Sequence, residues 1–413
     1  MRRIPPLRRF ALYGLLRNQR YFEPFLVLAF LDKGLGFFEI GLLIAFREFV
    51  VNLLEIPSGA LADMLGRRRV LIAAHVAYVA SFVLFGAAHA LPLLFVAMFL
   101  FAIGESFRTG THKAMIFDWL RHEDRTAEKT KVYGYTRSWS KTGSAVSVLI
   151  AALIVLVTRC YEYTFYLCAI PYALGVVNLL GYPDYLEGEG RGRVSWRGLV
   201  DHLRATWRVV VEEQPLRRLV AQSMGFDGVF YTVKDYLQPV LKAAVVPLAA
   251  GIAFAADLSE PQKVAIVAAP VYFGLHALSA VASRRAHRVV ERAGDEFRAV
   301  RWLWTAGLAV AAALTLGGAF DWFAVLVLAF IALHVLHNFW RPIQVGRYDR
   351  FGRSLQGATV LSLESQSRRV ATMLAAPLLG LAVDATVASG AGGAFWPVGV
   401  LGLVVGLALF PRR

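Results

Sequence analysis

The chain has 413 residues, 57% hydrophobic and only 18% charged, with a mean hydropathy of +0.53 and a formal net charge of +15. Soluble domains carry closer to a quarter charged residues, so these totals exclude an ordinary soluble globular protein and place the chain in the membrane class. Its two cysteines, Cys160 and Cys168, provide neither a disulfide framework nor a metal site.

A helix crossing the hydrocarbon core needs about 20 largely apolar residues, and about twelve such runs follow one another along the chain. The N-terminal "MRRIPPLRRFALYGLLRNQRYF" lacks a long apolar core and reads as a basic cytoplasmic lead-in. The first six runs are 15–33, 38–62, 70–88, 91–119, 131–157 and 161–181. Residues 181–215 interrupt them with a Gly-rich charged turn and an amphipathic helix carrying Trp196, Leu199, Leu203 and Trp207, suited to the cytoplasmic membrane surface. Six more runs follow at 217–240, 262–283, 299–317, 319–341, 357–383 and 394–411, with 241–256 a candidate extension of the seventh. The expected organisation is a six-helix bundle over 1–180, a central cytoplasmic loop over 181–215 and a second bundle over 216–413.

The basic excess is a topology signal. Thirty-two of the 44 Lys and Arg lie at 1–20, 67–69, 121–131, 182–218, 284–301, 341–353 and 412–413, all on one side of the membrane for these spans. The other side holds only Lys33, Arg159, Lys242 and Lys263. This positive-inside bias puts both termini in the cytoplasm, and no nucleic-acid partner is expected.

The halves echo each other. "YFEPF" around Glu23 matches "GFDGVF" around Asp227, and "SFRTG" around Arg108 matches "NFWRP" around Arg341. "TRSWSKTGS" aligns with "SLESQSRRVA", setting Lys141 against Arg368. Parallel six-helix repeats are one transporter plan, with the solute site near the bilayer midplane.

Between the second and third runs stands "GALADMLGRRRVL". It resembles the loop between helices 2 and 3 of the major facilitator superfamily, roughly G-x-L-x-D-R-x-G-R-[RK]-x-x-L. Gly59, Leu61, Asp63, Gly66, Arg67, Arg68 and Leu71 fit, and Met64 departs from the usual basic residue. The resemblance spans essentially the whole chain and implies an all-α integral membrane fold of twelve transmembrane helices in two six-helix bundles. It also implies a cytoplasmic latch, Asp63–Arg67–Asp118. There Gly59 would allow close helix approach, Gly66 a tight turn, and Asp63 would face a helix N-terminus. Arg69 reads as a topology determinant alone.

Charges inside spans are costly, about 2.5–3.5 kcal/mol each near the bilayer centre on insertion scales, and tend to be paired and functional. Span 4 carries Glu105, Arg108 and His112 on one face, and span 5 carries Arg137, Ser140, Lys141, Ser144 and Ser147. Span 7 has Asp227, Tyr231 and Lys234, span 10 His334 and His337, and span 11 Glu364 and Arg368. The resemblance places such helices around the transport cavity, whereas spans 3, 6, 9 and 12 are nearly free of buried charge. Arg137 with Glu105, and Glu48 with Arg47, are alternatively structural ion pairs. Glu39, Glu55, Lys113 and Asp235, near span ends, read as bystanders or latch elements.

Solute contact is therefore expected at Arg108, Arg137, Lys141, Tyr231, Lys234 and Arg368. Proton handling is expected at Glu23, Glu105, Asp227, His334, His337 and Glu364, because buried carboxylates and histidines titrate within reach of physiological pH. No Ser-His-Asp set, nucleotide-binding loop or zinc spacing occurs, so no catalytic residue, metal or cofactor is expected. The reading is a proton-coupled secondary transporter of a small anionic or zwitterionic organic solute, working by alternating access as a monomer in a plasma membrane, such as a bacterial inner membrane. The alternative is a drug or toxic-metabolite efflux antiporter. Span 5, "GYTRSWSKTGSAVSVLIAALI", lacks the Gly-Pro signature usual in drug exporters and carries two cations instead.

Overall fold

The computed structural model describes residues 6–187, 212–249, 256–352, 357–390 and 392–411. These residues are helical throughout, joined by short turns. The helices are α1 Pro6–Arg17, α2 Leu26–Asp32, α3 Phe37–Leu65, α4 Arg67–Ala87, α5 Leu91–Arg108, α6 Thr111–His122, α7 Lys129–Thr158 and α8 Tyr163–Leu180. After the central segment come α9 Gln214–Val233, α10 Leu237–Ala249, α11 Glu260–Arg284, α12 Ala286–Ala293, α13 Glu296–Ala319, α14 Phe323–Gly352, α15 Gly357–Ser389 and α16 Trp396–Ala408. Among the described residues eight helical stretches are long and apolar enough to cross a membrane by length and composition. The amphipathic helix with Trp196 and Trp207 lies outside the described residues.

Three expected spans are not single helices. The first is split into α1 and α2, with a 3-10 turn at Glu23–Phe25 before α2. The fourth breaks into α5 and α6 at Thr109–Gly110, where Gly110 adopts φ +80°, a conformation open to glycine at little cost. The seventh breaks at a 3-10 turn, Lys234–Tyr236, before α10. The basic lead-in is also corrected: Pro6–Arg17 is an ordered helix that buries Phe10, Ala11, Tyr13 and Gly14. Those residues recur at helical spacing, so one face of α1 is apolar although its net character is basic.

The described residues form two compact units. The first holds residues 6–25 and 49–187. Its core stacks α4, α5 and α8 through aromatic rings, with Tyr78 and Phe82 each centred 4.9 Å from Tyr172 in edge-to-face contact. Such pairs contribute about 0.5–1.5 kcal/mol each beyond area burial. A second cluster joins Phe10 of α1 to Trp119 of α6 and to Tyr182. Helix α1 crosses α7 closely: a Cβ at Gly143 would stand 2.6 Å from the Leu15 carbonyl oxygen.

The second unit holds the rest, including residues 26–48, which the sequence places with the first bundle. Polar contacts explain the difference. The Val27 N–H donates to Gln238 Oε1 at 2.8 Å. The Asp384 carboxylate accepts from the N–H groups of Phe37 (2.9 Å) and Phe38 (2.7 Å), an anion at the N-terminus of α3. Further along α3, Glu48 pairs with Arg47 at 2.7 Å and with Arg369 of α15 at 2.9 Å. The core of this unit includes Phe226 stacked on Trp340 at 4.5 Å, beside Trp304.

Candidate functional site

In the first unit, α1, α6 and α7 and the end of α5 enclose a cavity of about 460 Å³. Among the described residues five basic side chains line it, Arg17, Arg108, Lys113, Arg137 and Lys141, and no carboxylate does. The close α1–α7 crossing at Gly143 holds two of its walls together. The break at Gly110 turns the chain beside Arg108. On the α7 wall Thr136, Ser140 and Ser144 follow one another at helical spacing, with Asn18 facing them from the residue after α1. On the opposite wall Tyr13 stacks on His112 with ring centroids 3.7 Å apart.

Behind the cavity lies a charge node. Glu105 accepts from Arg20, from Arg108 Nη2 at 2.7 Å and from the Tyr78 hydroxyl at 2.6 Å. Arg108 Nε reaches the Tyr78 oxygen at 3.4 Å. Glu105 therefore pairs with Arg20 and Arg108, not with Arg137. Both its oxygens are engaged by donors that hold Arg108 against the cavity wall. Arg137 and Lys141 are exposed on α7.

The second unit has its own buried node. Asp227 is completely buried on α9. His337 Nε2 lies 3.0 Å from its Oδ1, the Ser223 hydroxyl donates to Oδ2 at 3.0 Å, and Arg341 Nη1 stands 3.6 Å from Oδ2. Arg341 also pairs with Glu364, which is 1% exposed. The His337 ring stacks on Phe230 at 3.7 Å. His334 instead donates from Nδ1 to the Phe330 carbonyl at 2.8 Å. The Arg368 guanidinium sits 4.2 Å from the Tyr231 ring centroid, a cation–π contact. Lys234 pairs with the adjacent Asp235 at 2.7 Å.

The repeat holds unevenly. Arg108 and Arg341 each bind a glutamate, Glu105 on the same helix and Glu364 on the next. Glu23 and Asp227 do not correspond in environment. Glu23 is exposed at the head of a 3-10 turn, because the chain leaves the helix after Arg17.

At the superfamily-like loop, Arg67 pairs with Asp118, which also binds Arg121. Gly66 takes φ +95° between α3 and α4, the tight turn expected of it. The Asp63 side chain lies outside the described residues. Gly59 is exposed, and among the described residues nothing approaches within 4 Å of where its Cβ would be, so the expected close helix contact is not formed there. Arg68 bonds the Tyr182 carbonyl at 2.8 Å and Asp184 at 2.7 Å, and Arg69 bonds Glu187 at 2.8 Å. Arg69 is thus anchored to the segment after α8, beyond any topological role.

The cavity unites three of the six expected solute residues, Arg108, Arg137 and Lys141. Tyr231, Lys234 and Arg368 belong to the second unit. Sequence reasoning missed Arg17, Arg20 and Tyr78, and it set aside Lys113. The apolar face of Phe10, Tyr13 and Gly14 was the signal that Arg17 and its neighbours continue a packed helix.

The sequence profile of the Major Facilitator Superfamily matches residues 18–344. Among solved structures the chain is similar to the nucleoside transporter NupG in a mutant form, at 12% identity over 98% of each chain, with a TM-score of 0.78. It is similar to a D-xylose-proton symporter at 13% identity over 98% of this chain and 97% of the other, with a TM-score of 0.68. A peptide transporter POT in complex with sulfate matches at 12% identity over 98% and 93%, with a TM-score of 0.67. At these identities the likeness is one of fold. No curated protein matches the chain.

Proposed function

Because the chain belongs to the Major Facilitator Superfamily, and so is a multi-pass membrane transporter of a small solute and not an enzyme, we propose that it is a proton-coupled secondary transporter of a small organic anion or zwitterion. The observation that carries this reading is the cavity lined, among the described residues, by five bases and no acid. One sign of charge in a low-dielectric cleft raises the local concentration of the opposite sign. A lipophilic cation, the cargo of the efflux reading, meets only repulsion there.

Arg108, Arg137 and Lys141 bind the solute, and Arg17 joins them. Tyr231 and Arg368 already engage each other, and Lys234 engages Asp235, so these three are weaker candidates. The coupling proton belongs at the Asp227–His337–Arg341–Glu364 node. There a carboxylate that gains a proton weakens its hold on a histidine and an arginine together. Twelve spans, cytoplasmic termini, alternating access, a monomeric state and a bacterial plasma membrane complete the proposal.

The test is uptake into proteoliposomes under an imposed pH gradient, with an internal pH indicator and a panel of labelled organic anions. Uptake accompanied by proton movement is expected, and Arg108→Ala and Lys141→Ala should each lower it about tenfold or more. Full uptake in both variants would remove the anion site.

A further inference from the structure

The charge lining the cavity exceeds what one negative group can balance. From this, and resting on the anion site proposed above, we infer that the solute carries at least two negative charges: it is a small organic dianion, either a dicarboxylate or a phosphomonoester.

Three observations converge. First, among the described residues Arg17, Lys113, Arg137 and Lys141 have no carboxylate within ion-pair distance. Only Arg108 has one, and it shares Glu105 with Arg20. A monoanion would therefore leave most of the lining charge without a counter-charge. Second, the Thr and Ser hydroxyls of the α7 wall and the Asn18 amide have partners within the protein. The Thr136 hydroxyl donates to the Tyr133 carbonyl at 3.0 Å, Ser140 to Thr136 at 3.3 Å, and the Asn18 amide to Gly14 at 2.6 Å. Of the buried side-chain polar atoms that line the cavity, the Arg17 Nε and the Tyr13 hydroxyl have no hydrogen-bond partner among the described residues. Third, the cationic donors come from separate elements, α1, the α5–α6 junction and α7, so they can meet two anionic groups from different sides. A volume of about 460 Å³ admits a small dianion with some of its water.

Dicarboxylates and phosphomonoesters share the needed chemistry. Each offers several acceptor oxygens to guanidinium and ammonium groups, and a phosphomonoester carries about −1.5 to −2 at pH 7. A neutral hydroxylated solute such as a nucleoside or sugar would leave the cationic donors without acceptors of matching charge.

The experiment measures thermal stabilisation of the purified full chain at pH 7.5 and constant ionic strength, because binding to the native state raises its unfolding midpoint by mass action. Succinate is compared with its monoamide succinamate and with neutral succinamide, and propyl phosphate with its methyl diester. At least one dianion should reach half-maximal stabilisation at a concentration tenfold or more below that of its monoanionic counterpart. Whichever does so identifies the source as dicarboxylate or phosphomonoester. Lys141→Gln, a change at an exposed side chain, should cut that advantage to threefold or less, and Arg17→Gln should do the same. Monoanions acting within threefold of both dianions would overturn the dianion inference while leaving the anion site intact. Stabilisation by succinamide alone, or by none of the five, would overturn both.

Discussion

Arg108 and Glu105, three residues apart on α5, are joined at 2.7 Å, and Tyr78 donates to the same carboxylate at 2.6 Å. Two roles for Glu105 predict opposite results. If it only neutralised charge, Glu105→Gln would strengthen anion binding by making the site more positive. If it positions Arg108, the same change weakens binding, because hydrogen bonds to charged groups contribute about 1.5–3 kcal/mol. We expect about a tenfold loss of anion affinity in Glu105→Gln, read by thermal stabilisation, and a smaller loss in Tyr78→Phe.

The Asp227 carboxylate, wholly buried and met by His337, Ser223 and Arg341, is the centre of the proton-coupling proposal. Asp227→Asn cannot exchange a proton. It should abolish uptake driven by a pH gradient while leaving solute exchange without a gradient. Breaking a buried charge cluster by removing one partner costs up to about 3–5 kcal/mol, so a lower unfolding midpoint should accompany it. Gradient-driven accumulation at the normal rate in Asp227→Asn would take the proton role away from this node.

Arg67 at the start of α4 pairs with Asp118 of α6, and both side chains are only partly buried. A double-mutant cycle on Arg67→Ala and Asp118→Asn should give a coupling energy of about 1 kcal/mol, the upper part of the range for partly solvated pairs. Each single variant should also raise the labelling rate of a cysteine placed on the cytoplasmic half of the transport pathway. Additive effects with unchanged labelling would reduce the pair to a surface contact.

Gly143 faces the backbone of α1, where an added Cβ would lie 2.6 Å from the Leu15 carbonyl oxygen. A backbone atom cannot rotate away as a flexible side chain can. Gly143→Ala should cost about 1–3 kcal/mol through overpacking and widen the cavity by separating α1 from α7. Thermal unfolding and solute uptake should fall together, and a variant as stable and active as the parent would show that the crossing has slack.

Much of the architecture was readable because the bilayer restricts it so tightly. A segment in hydrocarbon must satisfy its own backbone polar groups, so runs such as 70–88 and 131–157 could only be helices. They are found as Arg67–Ala87 and Lys129–Thr158. Helix interruptions were less readable, since lone residues such as Gly110 and Pro24 also occur inside unbroken membrane helices. The cationic stripe of Arg137 and Lys141 was visible from spacing alone. That Arg17 completes the same cavity was not, because α1 reads as a basic lead-in until its apolar face is packed on α7 and α8.

By itself the sequence determined the membrane class, the run of hydrophobic helices, the superfamily loop and the helices that carry charge, all of them consequences of local composition and period. Only the tertiary structure decided who pairs with whom: Glu105 with Arg20 and Arg108, Asp227 with His337, residues 26–48 with the second unit, and Arg17 with the cavity. Such pairings depend on distances between helices far apart in the chain. At a few ångströms in a low-dielectric interior, those distances determine whether a charge is neutralised within the protein or left to meet a solute.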